Sequence, residues 1–165
     1  MIKTKNLINA VTMIAKKLDG KNINWAIMTG CSLALHGVDV QPTDIDILTD
    51  EDGVFKIKNF LCDYEIETIQ NTPSVIFDSL MNKYMINGYI VEVIGDFKVK
   101  SALNSQWQLM NYLFENPDVI EIDNVKIPIL SLLHSIELYQ IMGRDKDKVK
   151  VFKIENHLKK LHNLG

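Results

Sequence analysis

Apolar residues recur at two spacings along the chain, and each spacing predicts a different kind of element. Near the N-terminus they repeat every three or four positions, which predicts an amphipathic helix over about residues 4–18. The next apolar run, at 24–29, is short and ends at Gly30, which is typical of a buried strand. A short helix is predicted at 32–36, and Gly37 ends it. Helices and strands therefore alternate from the start of the chain.

The rest of the pattern adds strands, two hairpins and a helical tail. We predict a strand at 43–49, a helix at 50–61, a strand at 64–70, hairpins at 83–94 and 119–128, and helices at 130–142 and 146–162. Asn87-Gly88 between two apolar runs is a strong hairpin signal. Because hairpins add antiparallel pairs to strands that alternation alone would make parallel, the pattern predicts an α/β (α+β) fold with a mixed β-sheet flanked by helices.

Length and composition indicate one folded domain. Of the 165 residues, 47% are apolar and 24% are charged, as in ordinary globular proteins. A chain of this length is too short for two ordinary domains. We therefore expect a single domain over residues 1–165, with a core at about 22–128 and a C-terminal helical pair at about 130–162.

Charge, cysteines and hydropathy narrow the class of protein. The net charge of −3 offers no basic field for a nucleic-acid backbone, which argues against nucleic acid as a partner. Cys31 and Cys62 are far apart and fit neither a disulfide framework nor a zinc site, so we expect a reducing, cytoplasmic setting. No segment reaches the roughly 18 apolar residues of a membrane span, so no membrane partner is predicted.

Two carboxylates interrupt the apolar run of the second predicted strand. Within Thr43–Thr49, Asp44 and Asp46 point to one face of a strand, and Ile45 and Ile47 point to the other. Two carboxylates held together repel each other, so such a pair requires either a proton or a cation. A hard divalent ion such as Mg²⁺ prefers these ligands. The alternative is an exposed edge strand that carries two solvated acids.

A third carboxylate, Glu92, lies in the most apolar predicted strand, Ile90-Val-Glu-Val-Ile94. Charged residues are seldom buried unless they are paired or bind a metal. Glu92 therefore either lies on a solvated face of the sheet or joins Asp44 and Asp46 from a neighbouring strand. Three carboxylates on adjacent strands suit a one- or two-metal site for phosphoryl or nucleotidyl transfer.

The glycine turn before these acids offers a place for a phosphate. Gly30 allows the backbone to approach a ligand closely, and the short helix after it presents free N–H groups. Thr29, Cys31 and Ser32 flank Gly30, where small side chains could add a contact. The turn alone fits any strand-to-helix connection, so its meaning depends on the acids that follow.

Together these features resemble the nucleotidyltransferase superfamily, whose members share polymerase-β-like chemistry. The superfamily pattern is a strand, a Gly-Gly or Gly-Ser turn, a short helix, an acid–hydrophobe–acid strand and a later acid. The matching segments here are Ala26–Gly30, Cys31–Gly37, Asp44-Ile-Asp46 and Glu92. The stretch Leu33-Ala-Leu-His-Gly37 is similar to a small, stand-alone bacterial branch that includes antitoxin- or toxin-associated and antibiotic-modifying members.

The tail strengthens the resemblance. In that branch Arg-x-Lys-Asp often stands between two helices, and Gly143-Arg-Asp-Lys-Asp147 matches it. The resemblance implies that Arg144 and Lys146 contact phosphates. The alternative for Arg144 is an ion pair with Glu137 or Asp147 that fixes the two helices.

The chain departs from the branch in three places. It has Cys31 where the turn usually carries a second glycine or a hydroxyl, and Gln41-Pro42 where an arginine commonly precedes the acids. Tyr139 stands where relatives often carry a lysine on the penultimate helix. Two cations that would face a triphosphate are therefore absent from their usual places.

The resemblance implies a metal-dependent nucleotidyltransferase. Such an enzyme moves a nucleoside monophosphate from an NTP to a hydroxyl of a small molecule or a protein, and pyrophosphate leaves. Asp44, Asp46 and Glu92 would be the catalytic residues and would bind two Mg²⁺ ions, which Mn²⁺ could replace. The residues implied at the nucleotide are Thr29, Gly30, Cys31, Ser32, Arg144 and Lys146.

The alternative function is a non-catalytic binding module on the same fold, for example an antitoxin-like partner protein. The altered turn and the missing cations favour it, whereas the intact set of three acids disfavours it. A homodimer, or a partner of the toxin or antitoxin type, is compatible with either function.

Overall fold

The computed structural model describes residues 2–164, so residues 1 and 165 of the predicted domain lie outside the described part. Five α-helices and eight β-strands lie within it. The helices are α1 (Ile2–Leu18), α2 (Thr29–Leu35), α3 (Glu51–Leu61), α4 (Leu132–Met142) and α5 (Asp145–Leu164). The strands are β1 (Trp25–Met28), β2 (Asp44–Thr49), β3 (Glu65–Asn71), β4 (Phe77–Ile86), β5 (Tyr89–Lys100), β6 (Trp107–Leu109), β7 (Asp118–Ile122) and β8 (Val125–Ile129). None of these helices has the length and apolar character to cross a membrane.

All eight strands belong to one mixed sheet, which confirms the predicted fold class. The strand order is β3-β4-β5-β2-β1-β8-β7, and β6 pairs with the last residues of β5 on the edge opposite β4. The β2–β5 and β1–β8 pairs are parallel, and the other pairs are antiparallel. Both predicted hairpins are present, as β4–β5 and β7–β8.

The expectation that alternation makes neighbouring strands parallel is wrong for β1 and β2. These strands are antiparallel, with Met28 opposite Asp46 and Trp25 opposite Thr49. The chain leaves β1 through the short helix α2 and re-enters the sheet at the end where β1 stopped. It therefore never travels the length of the sheet, as a parallel crossover must.

The sequence underestimated the length of β4 and β5 and missed β6. Strand β4 begins at Phe77, although its first half contains polar residues that hide the strand pattern. One polar residue of β4, Asn82, is fully buried because its amide donates to the Glu65 carboxylate at 2.9 Å and to the Glu67 carbonyl at 2.6 Å. Buried polar groups are accommodated when they are hydrogen-bonded across strands, which a local pattern cannot reveal.

The two faces of the sheet carry separate apolar layers. One layer joins α1 and α3 to inward residues of the central strands, including Ile27, Ile45 and Val91. The other joins α4 and α5 to residues of the opposite face, including Met28 and Leu48. Alternation along β2 therefore places Asp44 and Asp46 on the same face as Leu48, at the end of the second layer.

Close packing of α3 on the sheet depends on a glycine. Asp50 caps α3 by accepting a hydrogen bond from the Gly53 N–H at 2.7 Å. A Cβ on Gly95 of β5 would overlap Val54 Cγ2 and lie 3.0 Å from the backbone oxygen of Asp50. The first turn of α3 thus lies directly against the backbone of β5.

We expect Gly95→Ala to lower the free energy of unfolding by about 1–3 kcal/mol, because the new methyl group overpacks this contact. For a chain of this size the thermal midpoint should fall by roughly 2–12 °C. Gly30→Ala is the matched control, since its Cβ would meet only contacts of 3.7 Å or longer. Equal midpoints for the two variants in thermal melts would contradict the argument.

Candidate active site

Three carboxylates meet where β2 lies beside β5. The parallel register places Asp46 directly opposite Glu92, and Asp44 lies two residues earlier on the same face. One oxygen from each of Asp44, Asp46 and Glu92 lies within 4.8 Å of the others. The structure therefore brings together the three acids that the sequence analysis placed in one cluster.

The environment of Asp46 disfavours a bare negative charge. Its Oδ2 accepts a hydrogen bond from the Thr29 hydroxyl at 2.6 Å, but its buried Oδ1 has no hydrogen-bond donor among residues 2–164. Burial raises the pKa of Asp46 to about 7, and the Asp44 and Glu92 carboxylates add to this rise against the opposing effect of the Thr29 bond. Asp46 thus requires either a proton or a positive partner in the cleft.

Glu92 is held in a similar balance. Burial raises its pKa, the Lys83 ammonium opposes the rise, and Asp44 adds to it. The Lys83 Nζ lies 3.9 Å from Glu92 Oε1, and it also lies 3.4 Å from Glu67. Because Lys83 is shared between two carboxylates, it neutralises the cluster only partly.

A divalent cation fits this donor set. Hard divalent ions take carboxylate oxygens as ligands, and the buried, unpartnered Oδ1 of Asp46 is such a donor. A cation among the three acids would also remove the repulsion that raises the pKa of Asp46. The residues present are therefore chemically suited to a metal.

Thr29 connects the glycine turn to this cluster. Its φ is +58°, in the left-handed region that favours glycine, and a β-branched residue there costs about 1–2 kcal/mol. The same conformation directs the Thr29 hydroxyl at Asp46. The strained backbone therefore orients one of the three acids.

The turn residues after Thr29 divide between the cleft and the core. Gly30 lines the cleft. Cys31 and Ser32 are buried, and the Ser32 hydroxyl donates to the Thr29 carbonyl at 3.0 Å. Burial, with the nearby Asp46, raises the pKa of Cys31 to about 12. The side chains of Cys31 and Ser32 do not line the cleft. A phosphate contact therefore stays a prediction only for the backbone N–H groups of these two residues.

The carboxylates open into a cleft of about 550 Å³ between the sheet and the C-terminal helices. Phe77, Met81 and Phe97 form an apolar part of its wall, and Tyr139 enters from α4. The Tyr139 hydroxyl is buried without a hydrogen-bond partner, and burial raises its pKa. A polar group of a ligand in the cleft would give this hydroxyl the partner that the described residues do not provide.

Arg144 is held mainly by Asp147. Its Nε and Nη2 donate to the two carboxylate oxygens at 2.7 and 2.9 Å, and its guanidinium lies 5.1 Å from the centre of the Phe77 ring. Glu137 accepts a hydrogen bond from the Tyr112 hydroxyl instead. Of the two ion pairs considered from the sequence, the structure contains the one with Asp147. Arg144 still lines the cleft, as does the exposed Lys146, so phosphate contacts from both stay predictions.

Lys150 lines the cleft and was missed by the sequence analysis. It is partly buried, and its Nζ lies 3.8 Å from where a Cβ of Gly30 would be. Burial and the nearby Lys153 lower its pKa, whereas Asp44 opposes this. The signal was its position four residues after Lys146, because residues at this spacing share a helix face.

The sequence profile of the aminoglycoside-2''-adenylyltransferase family matches residues 10–154. The chain belongs to this family. The matched range includes the three acids, the glycine turn and the tail motif of this chain. It confirms the resemblance to the nucleotidyltransferase superfamily and identifies the protein as a probable nucleotidyltransferase.

The fold of this chain is similar to solved structures of nucleotidyltransferases and related proteins. A Thermotoga maritima protein provisionally assigned as a nucleotidyltransferase shares 26% identity and a TM-score of 0.74, over 91% of this chain and 92% of the other. ANT(2'')-Ia in complex with adenylyl-2''-tobramycin has 10% identity and a TM-score of 0.51, with 98% and 94% covered. An antigenic nucleotidyltransferase-like protein from Paracoccidioides brasiliensis has 16% identity and a TM-score of 0.50, with 91% and 75% covered. No curated protein matches the chain significantly.

We expect Asp46→Asn to be more stable than the wild type by on the order of 1–3 kcal/mol at about pH 8 in the absence of divalent ions. Asn can still accept the Thr29 hydrogen bond, and it carries no buried charge. The folded pKa of about 7 exceeds the unfolded value, so the wild type loses stability as pH rises between about 4 and 7. The difference in thermal midpoint should therefore be smallest near pH 4, grow through pH 5 and 6, and be largest near pH 8. A difference that does not change with pH would contradict this assignment.

Proposed function

We propose that the chain is a metal-dependent nucleotidyltransferase that moves a nucleoside monophosphate from an NTP to a hydroxyl of a small molecule, with release of pyrophosphate. The observation that supports this proposal most directly is the cluster of three acids. Three carboxylate oxygens from Asp44, Asp46 and Glu92 lie within 4.8 Å of one another, and Asp46 has a buried oxygen to which no described residue donates. Such a cluster is costly unless a cation joins it, and nucleotide transfer is a use for that cation.

The three acids would hold divalent metal. Asp44 and Asp46 would contribute to both ions of a two-ion site, and Glu92 to the ion nearer the acceptor, with Mg²⁺ as the expected metal and Mn²⁺ as a substitute. When bound, such ions act as Lewis acids that neutralise phosphate charge and lower the pKa of an attacking hydroxyl. The Thr29 hydroxyl would hold Asp46 in its orientation throughout, because that bond uses Oδ2 and leaves Oδ1 free.

Glu92 would accept the proton of the acceptor hydroxyl. Its side chain is 26% exposed beside the cleft, and burial raises its pKa, which makes the carboxylate a stronger base. The Lys83 ammonium at 3.9 Å would keep Glu92 ionised before the transfer. The proton would thus move from the acceptor oxygen to a Glu92 oxygen as the new phosphate ester forms.

The donor would lie between the Gly30 turn and the C-terminal helices. Gly30 leaves room there, since it has no side chain between Pro42 and the Lys150 ammonium. Backbone N–H groups near Gly30 would hold phosphates, and Arg144 and Lys146 would approach from the other wall. Because the sheet and the helical pair both line the cleft, we propose that they act as one domain.

The acceptor would be a small molecule with a hydroxyl group. The cleft volume of about 550 Å³ is in the range of small-molecule sites. The family description specifies an adenylyl group, so ATP is the donor to try first, and the family name and the tobramycin adduct in ANT(2'')-Ia make aminoglycosides the first acceptors to test.

We expect ATP with Mg²⁺ to stabilise the wild type and the double variant Asp44→Asn/Asp46→Asn to lose that effect. At 100 times its dissociation constant a ligand adds about 2.7 kcal/mol, or roughly 5–11 °C here. The measurement compares ligand-induced shifts in thermal midpoint and pyrophosphate release with candidate acceptors. Glu121→Gln on β7 is the control, since it removes an exposed charge away from the cleft.

The outcomes separate the two functions. Pyrophosphate release that depends on the acceptor and disappears in the double variant would establish transfer. A shift with ATP but no release with any acceptor would favour the non-catalytic binding module. No shift with any NTP at millimolar concentration would contradict the transferase.

We also expect Gly30→Ala to weaken ATP binding by about tenfold or more without lowering apo stability. Its methyl group would project into the cleft 3.7 Å from Pro42 Cβ and 3.8 Å from Lys150 Nζ. In the wild type a ligand can occupy that space. In the free protein the added methyl group would make only ordinary van der Waals contacts, so it should not destabilise the fold. Isothermal titration and apo melts measure the two effects, and unchanged ATP affinity would show that the donor lies elsewhere.

A further inference from the structure

Lys150 is a partly buried cation with no assigned partner. Its Nζ makes no hydrogen bond or ion pair with any of residues 2–164. Three other basic side chains near the cleft are engaged: Arg144 with Asp147, Lys83 with Glu92, and Lys153 with a backbone carbonyl. Lys146 also lines the cleft but is exposed, so water solvates its charge. Keeping an ammonium partly out of water without an acceptor costs free energy, so its position calls for an anion.

The fold directs Lys150 toward the donor side of the cleft. Its Nζ lies 3.8 Å from the Cβ position of Gly30, and the Asp44 carboxylate is close enough to favour its charged form. It therefore stands between the glycine turn and the acidic cluster, which is where the proposed function places the phosphate chain.

Two buried neighbours on α5 fix this placement. Asp147 precedes Lys150 by one helical turn and is 1% exposed, and Ile154 follows it by one turn and is fully buried. Residues at these spacings share a helix face. The stem of Lys150 is thus presented to the cleft by a helix anchored on both sides, rather than by a mobile surface segment.

We propose that Lys150 binds the phosphate chain of the donor nucleoside triphosphate and supplies the cation that the usual positions lack. The inference rests on the proposed function. Arg144 is already bound to Asp147, and the Tyr139 that stands in the usual lysine position offers a hydroxyl but no charge. The rival role for Lys150 is a counter-charge for Asp44 in the free protein.

The test compares Lys150→Met with Lys148→Met. Lys148 lies on the same helix but is exposed, with its nearest carboxylate, Asp145, at 3.9 Å, so its variant removes the same charge outside the cleft. Isothermal titration gives the dissociation constants of ATP with Mg²⁺ and of Mn²⁺ alone, and ligand-observed NMR gives that of adenosine. Thermal melts check folding, and Lys150→Arg tests whether a positive charge suffices.

We expect Lys150→Met to weaken ATP by roughly 10- to 100-fold, the range for losing a hydrogen bond between charged groups. Adenosine should bind as in wild type, because it carries no phosphate. Mn²⁺ should bind equally well or more tightly, since a competing cation is gone. Lys148→Met should stay within about twofold of wild type, and Lys150→Arg should recover most of the ATP affinity.

Other results would overturn the inference. ATP binding by Lys150→Met within about threefold of wild type would exclude the phosphate contact, and tighter Mn²⁺ binding in that case would assign the counter-charge role. An equal loss for ATP and adenosine would show a structural effect. If the wild type bound no NTP, the proposed function would fail and this inference with it. If the wild type bound ATP and Lys150→Met bound it equally well, only the role of Lys150 would be excluded and the proposed function would stand.

Discussion

The parallel pairing of β2 with β5 is the constraint on which the site depends. It places Asp46 opposite Glu92 on the face of the sheet that also carries Leu48, so that three acids converge within 4.8 Å. Held this way, the acids repel one another, and burial together with this repulsion raises the pKa of Asp46 to about 7. The fold maintains this unfavourable arrangement because the surrounding layers, which pack both faces of the same strands, are far larger than the cluster.

The approach of the C-terminal helices follows from a second local arrangement. Gly143 ends α4 in the left-handed conformation, with φ of +66°. Asp147 then caps the first turn of α5, because its Oδ2 accepts from the Arg144 N–H at 3.0 Å while the Arg144 carbonyl accepts from the Asp147 N–H at 2.9 Å. The ion pair between the same two side chains adds to this cap. The start of α5 is thereby fixed over the cleft, and Lys150 is carried with it.

Backbone strain and unsatisfied polar groups are both found at the cleft. Thr29 has a backbone conformation that suits glycine, and the buried Asp46 Oδ1 and Tyr139 hydroxyl have no hydrogen-bond partner in the described part of the chain. Elsewhere, polar residues such as Asn82 and Thr49 are buried but hydrogen-bonded. Local costs of this kind persist where a structure over-determines them, and they are characteristic of binding and catalytic sites.

The sequence by itself determined the local features: the alternation of elements, both hairpins, the acids on one strand face and their likeness to nucleotidyltransferases. These depend on periodicity and on turn residues, which act over a few positions. Tertiary structure decided the antiparallel pairing of β1 with β2, the partner of Arg144, the burial of Cys31 and Ser32, and the place of Lys150. Each of these depends on which distant segments pack together, and the free energy of that packing is not encoded in the spacing of neighbouring residues.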